Sequence, residues 1–419
     1  MRVQIYSRPN HERCIFAAVH GDHNLSGALM ELLFWASVAA LVYPYVLFPA
    51  WLIARSHRRT PPRYTLPPEL PRVAIVIAAY NEEAVIAGRI ENLLALSYPR
   101  EKLRVLIGSD ASTDRTDEIC QAYAAKYPLV EFIRFATRQG KAATLNRLIA
   151  ATDADVLILT DADVLFAPDI VERLVAPLSD ERIGLVAARM VRGILPGDTF
   201  QQVERTYFTV ESHLKYAESL LYGALIGADG ACYAIRRSVF TPFPEGCLIT
   251  DDLLQTLWVI ERGYRTYYAP DAICSAELTT DPRHEFQRKS RVAASNMHTL
   301  RYLGGLLRYF WRAPAVLFLS HKLFRWFGAL FLLAATSAAL VLAQSGWFYS
   351  GAAMILVFLH LLPLLPTSYR LPLLRYAAHF VASHYAVLLG IVTFFVGKRS
   401  PTWQPPPRRA EQTVPPAVG

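Results

Sequence analysis

The sequence predicts an α/β domain with a mostly parallel sheet, joined to α-helices that cross a membrane. Three observations predict it. From Val73 to Asp163, short runs rich in β-branched residues alternate with segments of helical spacing, the strand and helix order of a parallel sheet. Outside that region, several uncharged stretches reach the roughly 20 residues that span a bilayer. Composition agrees, since 53% hydrophobic residues and a mean hydropathy of +0.23 are high for one soluble globule of 419 residues.

Residues 1–29 are polar and mixed, without the apolar core or cleavage pattern of a signal peptide. Met30 is an equally good start, a hypothesis that N-terminal sequencing of the native protein settles. "LLFWASVAALVYPYVLFPAWLIA" (Leu32 to Ala54) carries no charge and marks a first span over residues 30–55. The basic "RSHRRTPPR" that follows places residue 55 onward in the cytoplasm. Residues 56–72 form a proline-rich linker. "VAIVIAAY", "LRVLIGSD", "VEFIRF" and "DVLILTDAD" are then successive strands, their unbroken apolar runs suited to burial on both faces. "EEAVIAGRIENLLALS", "DRTDEICQAYAAKY" and "GKAATLNRLIAAT" are the helices between them. Residues 297–313, with "MHTLRYLGGLLRYFW", mix leucines and aromatics with two arginines, as a helix lying in the membrane interface does. Residues 314–397 hold about three further spans, Trp326 to Ala343, Trp347 to Pro366 and Ala377 to Val396, and the proline-rich residues 398–419 read as a disordered tail.

The net charge of +8 does not point to nucleic acid, because many arginines flank the apolar stretches, where the positive-inside bias and anionic lipids account for them. No nucleic-acid motif is present. The five cysteines, Cys14, Cys120, Cys232, Cys247 and Cys274, are scattered without C-x-x-C or Cys/His spacing and read as reduced thiols. His213, His284 and His298 lack metal-ligand spacing.

Candidate chemistry gathers at the strand ends. At the end of the fourth strand, alternation puts Asp161 and Asp163 on one face, where two carboxylates repel unless a cation or proton lies between them. Mg²⁺ or Mn²⁺ holding a nucleotide diphosphate would satisfy them; capped surface turns explain an isolated D-x-D equally simply. "AAYNEE" and "GSDASTD" end the first two strands at the same edge, with Tyr80 able to pack on a flat ring and Asp110 able to accept from a base or ribose. Thr113 and Asp114 read more simply as helix caps. Lys141 follows a glycine near a helix start, within reach of a nucleotide. In "LITDDLLQTLWVIERG", Thr250 suits an N-cap, Asp251 and Asp252 the positive helix start, and Gly263 the C-terminal stop, so capping alone accounts for both acids. "GADGACYAIRR" (Gly227 to Arg237) lacks the G-K-[ST] of a phosphate loop; its small residues fit either a tight turn between strands or the close approach of an acceptor.

Together "AAYNEE", "SDASTD", "GKAATLN", "TDAD", "GADGACYAIRR", "ITDDLLQTLWVIERGYR" and "EFQRKSRVAA" resemble, in order and separation, the family 2 glycosyltransferases, whose membrane members include cellulose, hyaluronan and poly-N-acetylglucosamine synthases. The resemblance runs from Val73 to about Asn296, and it implies a GT-A (Rossmann-like) domain over residues 73–296. By that resemblance Tyr80, Glu82 and Asp110 hold the uridine, with Lys141 and Asp161 supporting the nucleotide. Asp161 and Asp163 engage a Mg²⁺- or Mn²⁺-bound diphosphate. Gly227, Asp229 and Gly230 face the acceptor, and Asp252 is the general base of an inverting displacement. Arg288 and Arg291 neutralise the departing diphosphate, although membrane anchoring explains the same basic cluster.

One motif departs from the processive synthases of the family. Read from Gln287, the Q-x-x-R-W positions hold Ser290 and Arg291, so the stacking tryptophan is absent and processive synthesis is not implied. The expected activity is transfer from a nucleotide-diphosphate sugar, UDP-linked by the resemblance, to a glycan or lipid-linked acceptor at the cytoplasmic face of an inner membrane, with the bilayer itself as a partner. Single addition to a polyprenyl phosphate and a non-catalytic nucleotide-binding scaffold are the alternatives. Topology is unreconciled: four spans with residue 55 inside put the C-terminus outside, whereas "GKR" and "PPPRR" favour the inside.

Overall fold

The computed structural model describes residues 11–193, 199–246, 248–277, 281–365 and 371–397. Helices α1 (His11–Val42) and α2 (Phe48–Ser56) are joined through a π-helical turn at Tyr43–Leu47, where Pro44 removes a backbone donor. The helix therefore starts well before the expected residue 30. The proposed tail and the first ten residues lie outside the described residues, as does Cys247.

The strands follow: β1 (Val73–Ala79), β2 (Leu103–Ser109), β3 (Val130–Arg134), β4 (Val156–Thr160), β5 (Leu165–Phe166), β6 (Ile183–Gly193), β7 (Cys232–Arg236) and β8 (Arg265–Glu277). Between them run α3 (Ile86–Leu94), α4 (Thr116–Lys126), α5 (Lys141–Ala150), α6 (Ile170–Val175), α7 (Thr199–Tyr222) and α8 (Asp251–Glu261). The sheet order is β3-β2-β1-β4-β7-β6-β8-β5. The first four strands are parallel, β7 runs antiparallel to both β4 and β6, and β6 and β8 are again parallel. Alternation explains the two-sided core: Val73, Ile75 and Ile77 join one buried cluster, Ala74 and Val76 the other.

Register brings the site together. Ala79 lies beside Ser109, and Ile77 beside Thr160, so the residues just past β1, β2 and β4 share one edge. Ligands of open α/β sheets bind at such an edge.

After the sheet come α9 (Pro282–Thr299), the short α10 (Gly304–Arg308), α11 (Ala313–Phe318) and α12 (Phe324–Trp326), then α13 (Gly328–Leu342), α14 (Trp347–Leu361) and α15 (Pro372–Val396). The single interfacial helix expected over residues 297–313 is not formed. α9 ends at Thr299, a 3₁₀ turn covers Leu300–Tyr302, and α10 lasts five residues, starting at the Gly304-Gly305 pair that weakens helix continuation. Phe310 and Trp311 are nonetheless exposed.

Among the described residues, four helical segments are long and apolar enough to cross a membrane: Ser26–Ser56, Gly328–Ser345, Trp347–Leu364 and Leu373–Val396. Their outer faces carry exposed apolar side chains such as Met354, Leu373 and Phe395, as a helix in contact with lipid does. A third buried cluster joins Phe48, Leu52, Leu214, Leu254, Phe318 and Ile391, fastening the sheet domain to these helices.

Candidate active site

β4 ends at Thr160, and Asp161 to Asp163 leave it as a loop and turn, so the expected sharing of one strand face does not hold. Asp161 remains part-buried at the edge and Asp163 is exposed. What holds Asp161 is Lys141, at the start of α5. Its ammonium bridges Asp161 at 2.8 Å and Asp251 at 3.1 Å, linking the end of β4 to the start of α8. Burial opposes that charge, but the two carboxylates outweigh it and hold the ammonium well above the usual lysine range.

Asp252 follows, its Oδ1 accepting from the Leu253 N–H at 2.7 Å. Thr250 sits at the N-cap position without capping, because its hydroxyl donates to Asn296 Oδ1 at 2.8 Å. Gly263 stops the helix as expected, with φ +85°. Burial, then the charge of Asp251, pushes the Asp252 carboxyl up to about 7 against the pull of the Leu253 N–H and Lys141. A Cβ on Gly230 would come within 3.3 Å of Asp252 Oδ2, so the missing side chain leaves that oxygen room. Gly227 adopts φ +84°, in a loop that joins α7 to β7 rather than one strand to another as the turn reading has it. Between them, Asp229 pairs with the buried Lys215 of α7 at 2.5 Å.

Asp110 was expected to accept from a base or ribose. Both its oxygens instead accept from the loop before α5, from Gln139 N–H at 2.7 Å and Gly140 N–H at 2.8 Å. The same loop lays the Arg138 guanidinium over the Tyr80 ring, 3.5 Å from its centroid. Glu82 is buried, its N–H donating to Thr116 Oγ1. Asp114 accepts from Thr116 N–H at the start of α4, whereas Thr113 does not cap but binds the Asn81 side chain. Asn81 and Ala111, directly after Tyr80 and Asp110, have φ +55° and +59°. Two non-glycine residues in the left-handed region mark a tightly determined edge.

The basic cluster on α9 is differently used than expected. Arg288 makes a two-pronged pair with Glu285, at 2.8 and 2.6 Å, and Lys289 pairs with Glu204 at 2.7 Å. Arg291 is the member that feels Asp161 and Asp251. Burial and the neighbouring charge of Arg288 push its guanidinium down to about 10, against the pull of Asp161 and Asp251, and it stays charged at neutral pH.

Sequence reasoning missed a buried polar cluster where the sheet domain meets the membrane helices. His321 places Nδ1 2.6 Å from Glu218 and Nε2 3.0 Å from Glu211, and Glu211 also receives Lys322 and Arg325. The signal for it is a polar stripe: Glu204, Glu211, Lys215 and Glu218 fall on one face of α7 at helical spacing.

Hard oxygen donors at Asp161 and Asp163 suit a divalent cation. Among the described residues no three His, Cys, Asp or Glu side chains close around one point. One or two carboxylates at a strand edge fit a cation that arrives with substrate phosphates.

Residues 74–241 match the family described as Glycosyl transferase family 2. The probable glycosyltransferase YdaM of Bacillus subtilis (strain 168) is 26% identical over 242 residues, 55% of this chain and 57% of that protein. The beta-monoglucosyldiacylglycerol synthase of Nostoc sp. is 34% identical over 122 residues, 29% of this chain and 26% of that protein. The poly-beta-1,6-N-acetyl-D-glucosamine synthase of Staphylococcus aureus (strain COL) is 28% identical over 213 residues, covering 49% and 50%. The chain thus spans between about a quarter and somewhat over half of these relatives' own lengths. Among solved structures, the mannosyltransferase PcManGT from Pyrobaculum calidifontis, in complex with GDP-Man and Mn²⁺, matches with a TM-score of 0.68 at 22% identity, over 88% of this chain and 100% of that one. The fold is GT-A, a mostly parallel sheet followed by helices.

Proposed function

We propose that this chain, which carries a family 2 glycosyltransferase domain at residues 74–241, transfers a sugar from a nucleotide-diphosphate donor to an acceptor hydroxyl at the cytoplasmic membrane surface, with inversion. The observation that carries this is Asp252: a carboxyl raised to about 7, with space made by Gly230, joined through Asp251 and Lys141 to Asp161 at the strand edge. A base with that affinity for protons is half ionised near neutral pH and can still take a hydroxyl proton.

In the proposed step the acceptor oxygen forms its bond to the anomeric carbon while the bond from that carbon to the diphosphate oxygen breaks. The electron pair leaves with the nucleoside diphosphate, and Asp252 takes the acceptor's proton. Arg291, the α9 cation that feels Asp161 and Asp251, supports the departing charge. Arg288, held by Glu285, positions α9 rather than meeting the diphosphate. Lys141 sets the spacing of Asp161 and Asp251. Asp161 and Asp163 would hold Mg²⁺ or Mn²⁺, which when bound neutralises diphosphate charge. Tyr80 lines the base pocket, entered by displacing Arg138 from its ring, and Asp110 fixes the loop of Gln139 and Gly140 beside it. UDP is the donor nucleotide favoured by the family resemblance.

The test is a panel of radiolabelled nucleotide sugars, incubated with purified protein in vesicles and Mn²⁺. Transfer of label from one donor, accompanied by stoichiometric nucleotide release, is expected. Nucleotide binding without transfer or release from any donor would favour the scaffold reading.

A further inference from the structure

An apolar groove of about 540 Å³ opens on the membrane-facing side of the molecule, between α1 and the segment from α11 to α12. Ala36, Ala39, Ala40 and Leu47 form one wall and Val316, Leu319 and Phe324 the other. Its α1 wall belongs to the first candidate span, so hydrocarbon is the medium around it. Only its inner end is polar, where the Tyr43 and Ser320 hydroxyls meet at 2.8 Å.

That inner end continues toward the chemistry. Ser320 precedes His321 and Lys322, and Lys322 Cε would lie 3.7 Å from a Cβ on Gly227. The same Cβ would lie 3.1 Å from Leu253 Cδ1, the residue after Asp252. The groove is therefore separated from the proposed base by one turn of polar side chains and the Gly227 to Gly230 loop.

Charge selects the headgroup. Along this passage the carboxylates of Glu211, Glu218, Asp229 and Asp252 face Lys215, Lys322 and Arg325, and each of those cations already pairs with an acid of the set. A phosphate head would add negative charge where the permanent cations are committed. It would also need no general base, being ionised already, whereas a hydroxyl does.

We propose that this groove holds the hydrocarbon chain of the acceptor, a membrane lipid with an uncharged, hydroxyl-bearing head that reaches Asp252 past the Gly227 to Gly230 loop. The inference deepens the proposed glycosyl transfer and rests on it for the identity of the ligand as acceptor.

The experiment uses the full chain in phosphatidylcholine nanodiscs and a diacylglycerol bearing a diazirine on one acyl chain. Irradiation should label peptides containing residues 36–47 and 316–324, and excess unlabelled diacylglycerol should compete while an equal amount of polyprenyl phosphate or phosphatidic acid should not. Ala39→Trp, on the exposed side of α1, should lower labelling by about fivefold or more, as overfilling a defined space does, with UDP binding retained. If the Trp variant loses UDP binding, Ala36→Leu repeats the comparison. Absence of label from both segments in wild-type protein that binds UDP would overturn the inference, and so would stronger competition by the phosphate-headed lipids. Competed labelling of the groove in protein that does not bind UDP would uphold the lipid site and strike the donor reading instead.

Discussion

Replacing Asp252 by Asn should remove activity and stabilise the protein at the same time. Holding this carboxyl at about 7 instead of its ordinary 3.8 corresponds to about 4 kcal/mol of folding free energy once the group is ionised. That figure is a ceiling, because solvent reaches part of the side chain. The ionised form is the one the fold disfavours. The penalty is therefore absent below pH about 4, grows as pH rises, and is complete above about 7. Asn carries no charge at any pH and keeps an acceptor for the Leu253 N–H. The variant should therefore unfold at a higher denaturant concentration than wild type at pH 8, by up to a few kcal/mol, with the difference closing by pH 4.

Transfer should fall by about 100- to 10,000-fold, the range of a lost general base. Wild-type kcat/KM, which reports the free enzyme, should rise with pH through about 7. A cation bound with the donor moves that midpoint down, since added positive charge favours the carboxylate. Asp251→Asn is the control. It removes the charge that raises Asp252 and one of two partners of Lys141, so it should lower the midpoint while activity persists. An Asp252→Asn variant that keeps more than about a tenth of wild-type transfer refutes the base assignment. Equal or lower stability than wild type at pH 8 refutes the electrostatic account behind it.

The half of the sheet that a parallel pattern can reveal was legible. Val73 to Thr160 show strands buried on both faces and helices between, and the structure moves those elements by only a few residues at their ends. The remainder breaks the parallel pattern. β7 enters antiparallel between β4 and β6, a direction and place its own apolar run does not reveal, and α7 buries Glu211, Lys215 and Glu218, so it lacks the purely apolar face by which a packed helix is read. Residue types at the site were legible from motifs, but their pairings were not. Nothing local in the sequence says that Asp110 is held by the loop of Gln139 and Gly140, or that Lys289 is taken by Glu204. Each depends on which cation and carboxylate the packing brings within about 3 Å, and periodicity carries no such information.

Three further outcomes are expected. Chelation of divalent metal should abolish the metal-dependent part of UDP-sugar binding, and Asp163→Asn should abolish it even in excess Mn²⁺, read by isothermal titration; unchanged binding removes the cation from this pair. Arg138→Ala should tighten UDP binding by about 2- to 30-fold, the worth of a cation–π contact of about 0.5–2 kcal/mol, because the Tyr80 face is freed; weakened binding would make Arg138 a donor contact. Gly390→Ala should separate α15 from α9, since its Cβ would stand 2.1 Å from the Ser290 carbonyl oxygen and 2.7 Å from Ala293 Cβ, and backbone cannot swing aside as a flexible side chain can. Overpacking of this kind destabilises by about 1–3 kcal/mol, and the displaced α9 carries Arg291, so thermal stability and turnover should fall together while UDP binding at the far strand edge persists. A Gly390→Ala protein with unchanged melting and turnover would show that α9 and α15 are not packed this closely, and that Arg291 does not take its position from the membrane helices.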